Sequence, residues 1–300
     1  MSNTSFSKAS VGFGSLDNSS EINATYKIDS HQHFWQLSLG FYDWLTPELA
    51  LLYRDYLPED LSQEIVDADI HQTILIQAAE IETETDFLLR LASQTEYVAG
   101  VVGWVDMNSS LVLDTLQNLS EDAYFKGIRP MLQDIPCVEW ILLEKYQPIF
   151  EFLVKKGLSF DALIKAHQLP IIAKLAETYP ALKIVINHCG KPHIDRKPSP
   201  DWKQYLTLFT LLDNVSIKFS GLLTEAPKGE VSVEQLQPYF EHVLSVFGTQ
   251  RMMWGSDWPV MRLNGDYEHW MSLTKQLLST LSKHEQRNVW ARNAQKFYHL

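Results

Sequence analysis

Near the start of the chain, the stretch YKIDSHQHFW, residues 26–35, places Asp29, His31 and His33 at alternate positions. Side chains of a strand switch faces at every residue, so the spacing predicts one row of three ligand-type groups. Such a row is either a polar seam facing solvent or part of a site. Groups of similar character recur at the ends of other apolar runs. Arg129 follows FKGI, Asp161 stands in GLSFDALI with His167 a few residues on, and Asn187 and His188 open NHCGKP. Ser220 ends VSIKFSG and Asp257 ends RMMWGSD. Polar groups closing apolar runs are costly in a pure core role, and convergence on one site explains them together.

The elements that must position these groups are short and regular. The runs KIDSHQHF, QTILIQA, YVAGVVGWVD, FKGIRP, GLSFDALI, LKIVINH, VSIKFSG and RMMWGSD are mostly apolar, and several are rich in Val and Ile. That is the composition of strands buried on both faces of a parallel sheet. Helix signals lie between them. Thr83 and Asp86 in TETDFLLRLA form a capping-box pattern, and Pro58 marks a helix start in LPEDLSQEIVDA. LPIIAKLAETYP stops against Pro180, and VEQLQPYFEHVLSVFG stops at Gly248 as a C-cap. Eight strands alternating with helices predict a single-domain α/β fold, a (β/α)8 TIM barrel over residues 26–300, whose site lies at the C-terminal strand ends. An open doubly wound sheet would carry a Gly-rich turn after its first strand, where this chain has HQHFW.

The 300 residues are 45% hydrophobic, enough for one large core, and the formal net charge of -12 argues against nucleic acid or an anionic membrane surface as partner. No apolar run approaches the ~18 residues of a membrane span. Two cysteines, Cys137 and Cys189, give no disulfide framework and read as free thiols of a reducing, cytoplasmic compartment. Residues 1–25, rich in Ser, Asn and Gly, read as a disordered tail without the marks of a secretory signal.

Taken in order, DSHQHFW, YDWL, RDYLPEDL, VGWVD, FKGIRP, FDALI, HQLP, INHCGKP, KFSGL and WGSDWPV resemble the amidohydrolase superfamily. More narrowly they resemble its amidohydrolase-2 branch, which holds sugar-lactone hydrolases of the L-fuconolactonase and L-rhamnono-lactonase type. The likeness runs from Ile28 to the C-terminus and implies a barrel hydrolase that opens the lactone of a sugar acid. Decarboxylases of the same superfamily share the scaffold, and a non-catalytic sugar-acid-binding protein is the reading from another class.

The family pattern carries over onto His31, His33, His188 and Asp257 as catalytic groups, which are also the ligand set for a metal. Paired imidazoles suit a divalent ion of the zinc type, or they donate hydrogen bonds without one. Metal-dependent relatives often use a carboxylated lysine on strand four. Here Arg129 ends that strand and Lys126 stands at its other end, so the expectation is at most one ion, with none as the alternative. The resemblance casts Asp257 as general base toward water, with His188 polarising the carbonyl and Arg129 anchoring lactone oxygens. Asp161, His167 and Lys191 are expected substrate contacts; for His167 the alternative is a helix cap. Trp35 and Trp258 are expected as aromatic walls for a sugar ring, and Asp43 and Trp44 as a lid. Cys189, next to His188 on the same strand, would face the other way. A homo-oligomer is left open.

Overall fold

The protein is described by a computed structural model covering residues 26–195, 197–229 and 231–300. The tail expected over residues 1–25 lies outside the described residues. Eight parallel strands, β1 Ile28–Gln32, β2 Gln72–Ile76, β3 Val98–Gly103, β4 Phe125–Ile128, β5 Ser159–Ala162, β6 Lys183–Ile186, β7 Val215–Phe219 and β8 Met252–Trp254, pair in sequence order. Just beyond its strands the sheet closes on itself. The His33 amide donates to Trp258 O at 2.8 Å, and the Asp257 amide to His31 O at 2.8 Å. All eight runs named from the sequence are strands, and the fold is a single-domain (β/α)8 barrel.

Each strand is followed by a helix: α1 Pro58–Ala68, α2 Glu82–Gln94, α3 Val112–Leu119, α4 Gln147–Lys156, α5 Leu169–Thr178, α6 Pro200–Thr207, α7 Val233–Phe247 and α8 Tyr267–Leu278. Pro58 is the first residue of α1, where its missing N–H costs nothing, and the Asp60 carboxylate accepts the Leu57 amide. Gly248 caps α7 with φ at 58°. The box expected from Thr83 and Asp86 does not form. The helix begins a residue earlier, at Glu82, because the acid that holds this turn is Glu84, accepting the Ala78 and Ala79 amides at 2.8–3.0 Å.

Apolar side chains fill two layers. The larger cluster lies between the sheet and the helices and includes Val215, Ile217 and Phe219 of β7. A smaller one gathers Ile28, Ile74, Ile76, Val102, Val185 and Met253 around Ala291, Ala294, Phe297 and Tyr298. The last four belong to the C-terminal segment: α9 Lys283–Arg287, a π turn Asn288–Arg292 and α10 Asn293–Tyr298. This segment plugs the N-terminal end of the barrel. Its Tyr298 hydroxyl reaches upward through the barrel to donate to Asp161 Oδ2 at 2.9 Å. Removing that hydroxyl from a fully buried acid should be felt. The Tyr298→Phe variant is expected to lose about 1 kcal/mol of stability in denaturant unfolding; an unchanged midpoint would show that the contact contributes nothing.

Candidate active site

At the C-terminal ends of the strands the histidines of β1 meet Asp257. His31 Nε2 lies 3.2 Å from His33 Nε2, and the two stand 3.7 and 3.4 Å from Asp257 Oδ1. His188 Nε2 approaches the same oxygen at 3.7 Å. All four residues are at most 4% exposed, so they are withdrawn from bulk solvent and their orientation is set by the protein. His33 Nδ1 faces Ile76 O at 2.8 Å and His188 Nδ1 faces Ser220 Oγ at 3.0 Å.

The local backbone explains how these side chains come to point inward. Asp257 sits at φ 63°, and His188, Cys189, Gly190 and Lys191 form a run of left-handed residues with φ between 48° and 71°. Non-glycine residues there are uncommon and persist where the surroundings over-determine them. The run turns β6 sharply, sending the His188 ring toward the barrel axis and Cys189 away, where its thiol meets Lys218 O. Burial pushes that thiol far up, so it is not a nucleophile. Gly221 and Gly255 leave room for the rings: a Cβ at Gly221 would collide with His188, and one at Gly255 with His31.

Electrostatically the site is a neutralised cluster. Burial drives the His188 imidazole down to about 3 and lowers His33, so both are neutral at ordinary pH. Burial would raise the Asp257 carboxyl, but His188 and His33, with Lys191 behind them, outweigh it and hold the group below its usual value. Arg129, pushed down to about 10 by burial, remains a cation. Its Nε and Nη2 both donate to Gln77 Oε1, at 3.1 and 2.7 Å, and Nη2 also donates to Gln77 O. Nη1 is therefore the prong left for a ligand. The two-pronged clamp expected from its planar fork is already spent on the protein.

Beneath this layer lies a group that the strand-end reading passed over. Lys218, fully buried, donates to Asp161 Oδ2 at 2.7 Å, and its Nζ stands 3.5 Å from His31 Nδ1. Asp161 also accepts from Ser159 Oγ at 2.9 Å and from Asn187 Nδ2 at 3.3 Å. A signal for Lys218 existed. In VSIKFSG, Val215, Ile217 and Phe219 alternate with Ser216, Lys218 and Ser220, so the lysine shares a face with Ser220.

A cavity of about 230 Å³ opens above these groups, lined by His33, Trp44, Arg129, His188, Lys191 and Asp257 among others. Lys191 faces it and pairs with Glu225 at 3.7 Å. The structure does not bring every expected residue there. Trp35 and Trp258 are wholly buried, packed edge-on around Tyr56 with centroids at 5.4 and 5.2 Å. Trp44 is the aromatic that faces the cavity, its indole N–H held on Ala78 O at 2.8 Å. His167 lies exposed on a short helical turn ahead of α5, away from the cavity. Asp161 belongs to the layer below, bonded to protein throughout. Asp29 leaves the expected row, because the pairing of β1 with β2 shifts between Asp29 and Gln32. Its carboxylate instead accepts from the Tyr267 hydroxyl of α8 at 2.9 Å and the Ser256 amide at 2.8 Å.

The match to known proteins decides the family. The model of the amidohydrolase family fits residues 28–300. This chain belongs to the amidohydrolase family. Among its relatives, the L-fucono-1,5-lactonase of Burkholderia ambifaria is 37% identical over 92% of this chain and 96% of that protein. The L-fucono-1,5-lactonase of Burkholderia multivorans is 31% identical over 91% and 96%. An amidohydrolase structure from Burkholderia multivorans with bound zinc superposes with a TM-score of 0.87 at 30% identity, covering 92% of this chain and 99% of that one.

Ligand atoms of His31, His33 and Asp257 lie within 4.8 Å of one another, a spacing a single divalent ion could use. His31, His33 and Asp257 are the residues that would hold such an ion, and Arg129 Nη1, 3.5 Å from His31 Nε2, is the cation that would stand beside it.

Two predictions follow from this geometry. Gly221→Ala should keep the fold yet displace the His188 ring, lowering kcat/KM about 10²-fold, the scale of a 1 Å misplacement in a site; full activity in a steady-state assay would show that the His188 position is unimportant. Glu84, raised to about 7 by burial, binds its proton more readily folded than unfolded. Its contribution is therefore fullest below its unfolded value of 4.5 and declines as pH rises toward 7. Melting temperatures of Glu84→Gln across that window should lack this decline, and a slope equal to that of the native protein would refute the assignment.

Proposed function

We propose that this amidohydrolase hydrolyses the lactone of a sugar acid, with L-fucono-1,5-lactone the first substrate to test. The observation that carries the reading is the likeness to the Burkholderia ambifaria lactonase over nearly the whole of both chains, joined to a buried carboxylate among three neutral imidazoles beneath a small cavity.

In this reading a water in the cavity is deprotonated by Asp257 as it attacks the lactone carbonyl carbon. Being ionised at ordinary pH, Asp257 is available as base in essentially every molecule. Its three imidazole neighbours hold it in one orientation. The oxyanion that forms is met by Arg129 Nη1, the prong that Gln77 leaves free, and by His188. His188 can donate from Nε2 when its Nδ1 accepts from the Ser220 hydroxyl. The carbon–ring oxygen bond then breaks, the proton on Asp257 passes to the departing ring oxygen, and the open-chain hydroxy acid leaves. Trp44 supplies an aromatic face for the ring carbons, and Lys191 supplies a positive charge near the emerging carboxylate. Among the described residues no helix is long and apolar enough to cross a membrane.

Proton release measured at constant pH with a panel of aldonolactones tests the reading. Rapid acid production above the spontaneous rate is expected for at least one member, falling roughly 10²–10⁴-fold in Asp257→Asn, as for loss of a positioned base. Absence of turnover across the panel by folded protein would contradict the proposal.

A further inference from the structure

We propose that Glu84 is a positioning residue that aims Arg129 and Trp44 at the cavity through two peptide groups, Gln77–Ala78 and Ala78–Ala79. The inference rests on the reading of those two side chains as groups that face the substrate. Glu84 itself is fully buried at the third position of α2 and is not among the residues lining the cavity.

The turn after β2 carries the link. The Ala78 amide donates to both Glu84 oxygens at 3.0 Å, and the Ala79 amide donates to Oε2 at 2.8 Å. Both peptide groups are trans. A trans peptide is planar and its C=O points away from its N–H, so holding the N–H fixes the direction of the carbonyl. The carbonyl in one plane with the Ala78 amide is Gln77 O, which accepts from Arg129 Nη2. The carbonyl in one plane with the Ala79 amide is Ala78 O, which accepts from Trp44 Nε1 at 2.8 Å. The next carbonyl, Ala79 O, accepts from Gln77 Nε2 at 3.2 Å. That leaves Gln77 Oε1 turned toward Arg129, where it accepts from Nε and Nη2. Three successive carbonyls of the turn thus serve Arg129 and Trp44, and one carboxyl group stands behind them.

Glu84 can hold the turn only if its own helix is fixed. Its neighbour Thr85 donates from Oγ1 to Trp104 O at 3.0 Å and accepts the Trp104 amide at 2.9 Å. Gly103 lets the helix come that close to the end of β3, because a Cβ there would collide with Thr85. Gly103 O also accepts the Arg129 amide at 2.8 Å. The end of β3 therefore places the backbone of the arginine, and Glu84 places its guanidinium.

Glu84→Gln, nearly the same shape, breaks the arrangement. Each Glu84 oxygen accepts the Ala78 amide, so whichever way the glutamine amide is turned, an NH2 faces that N–H, donor against donor. A 15N–1H spectrum reads the consequence. The Trp44 indole and Arg129 Nε signals, assigned by their loss in Trp44→Phe and Arg129→Lys, should shift, and their hydrogens should exchange faster with solvent. The indole signals of Trp202 and Trp270, which donate to Cys189 O and Gly255 O at 2.8 Å, should stay where they are. Should Glu84→Gln fail to fold, Glu84→Asp, which keeps both oxygens but draws them back by one methylene, must give the same pattern. Either of the first two signals unmoved, or all four moving together as in a loosened fold, would overturn the proposal. The spectra need no substrate, so they succeed or fail independently of the lactone reading. With a lactone that is turned over, Glu84→Gln should lower kcat/KM by up to about 10²-fold, the scale of a 1 Å misplacement. In an Arg129→Met background it should lower it far less, since the two residues act as one unit; equal losses in both backgrounds would also overturn the proposal.

Discussion

Charges placed inside a barrel must neutralise one another there, because an unpaired buried ion costs several kcal/mol. In this protein the pair Lys218 and Asp161 meets that demand, and much of the site is built on it. Tyr298 reaches it from the plug at the other end of the barrel, Ser159 and Asn187 close it laterally, and His31 rests against it from above. The stability of the interior and the orientation of the His31 ring therefore depend on the same contacts. A barrel packed only with apolar side chains could hold its strands together but could not aim an imidazole.

Above that layer, order is imposed by groups that each have one free valence. Gln77 takes three of the Arg129 hydrogens and leaves Nη1. Ile76 takes one side of His33, and Ser220 one side of His188. Each side chain enters the cavity with a single polar atom available, so the site has few ways to arrange itself before a ligand arrives. The left-handed backbone at Asp257 and from His188 to Lys191 belongs to the same economy. It trades local conformational energy for side chains aimed at one point, in surroundings packed too tightly for them to relax.

How much of this was legible in the sequence depends on how local the cause was. All eight strands were, because apolar runs of Val and Ile bounded by helix signals have a local cause. The convergence of His31, His33, His188 and Asp257 was legible because strand ends in such a barrel share one rim. Asp29 was misread because a shift in pairing between β1 and β2 breaks the period of two, and the shift is fixed by a neighbouring strand. Trp35 and Trp258 follow site residues in sequence but pack outward with Tyr56, a partner 21 residues beyond Trp35 whose proximity no periodicity announces. Lys218 was hidden for a subtler reason: a lysine inside an apolar strand is costly unless paired, and its partner Asp161 lies two strands away. The alternation of Ser216, Lys218 and Ser220 held the clue, and only the register of the barrel gives it meaning.

The central claim is that water, activated by the Asp257 carboxylate, attacks the carbonyl carbon of a lactone. A single turnover in water enriched in 18O, with enzyme in excess over an aldonolactone it opens, tests this most directly. The account predicts one labelled oxygen in the carboxylate of the product, the original ring oxygen retained as an unlabelled hydroxyl, and no label in Asp257. Label in the hydroxyl, which would mean cleavage on the alkyl side, or unlabelled product with later labelling of Asp257, which would mean direct attack by the carboxylate, would contradict it.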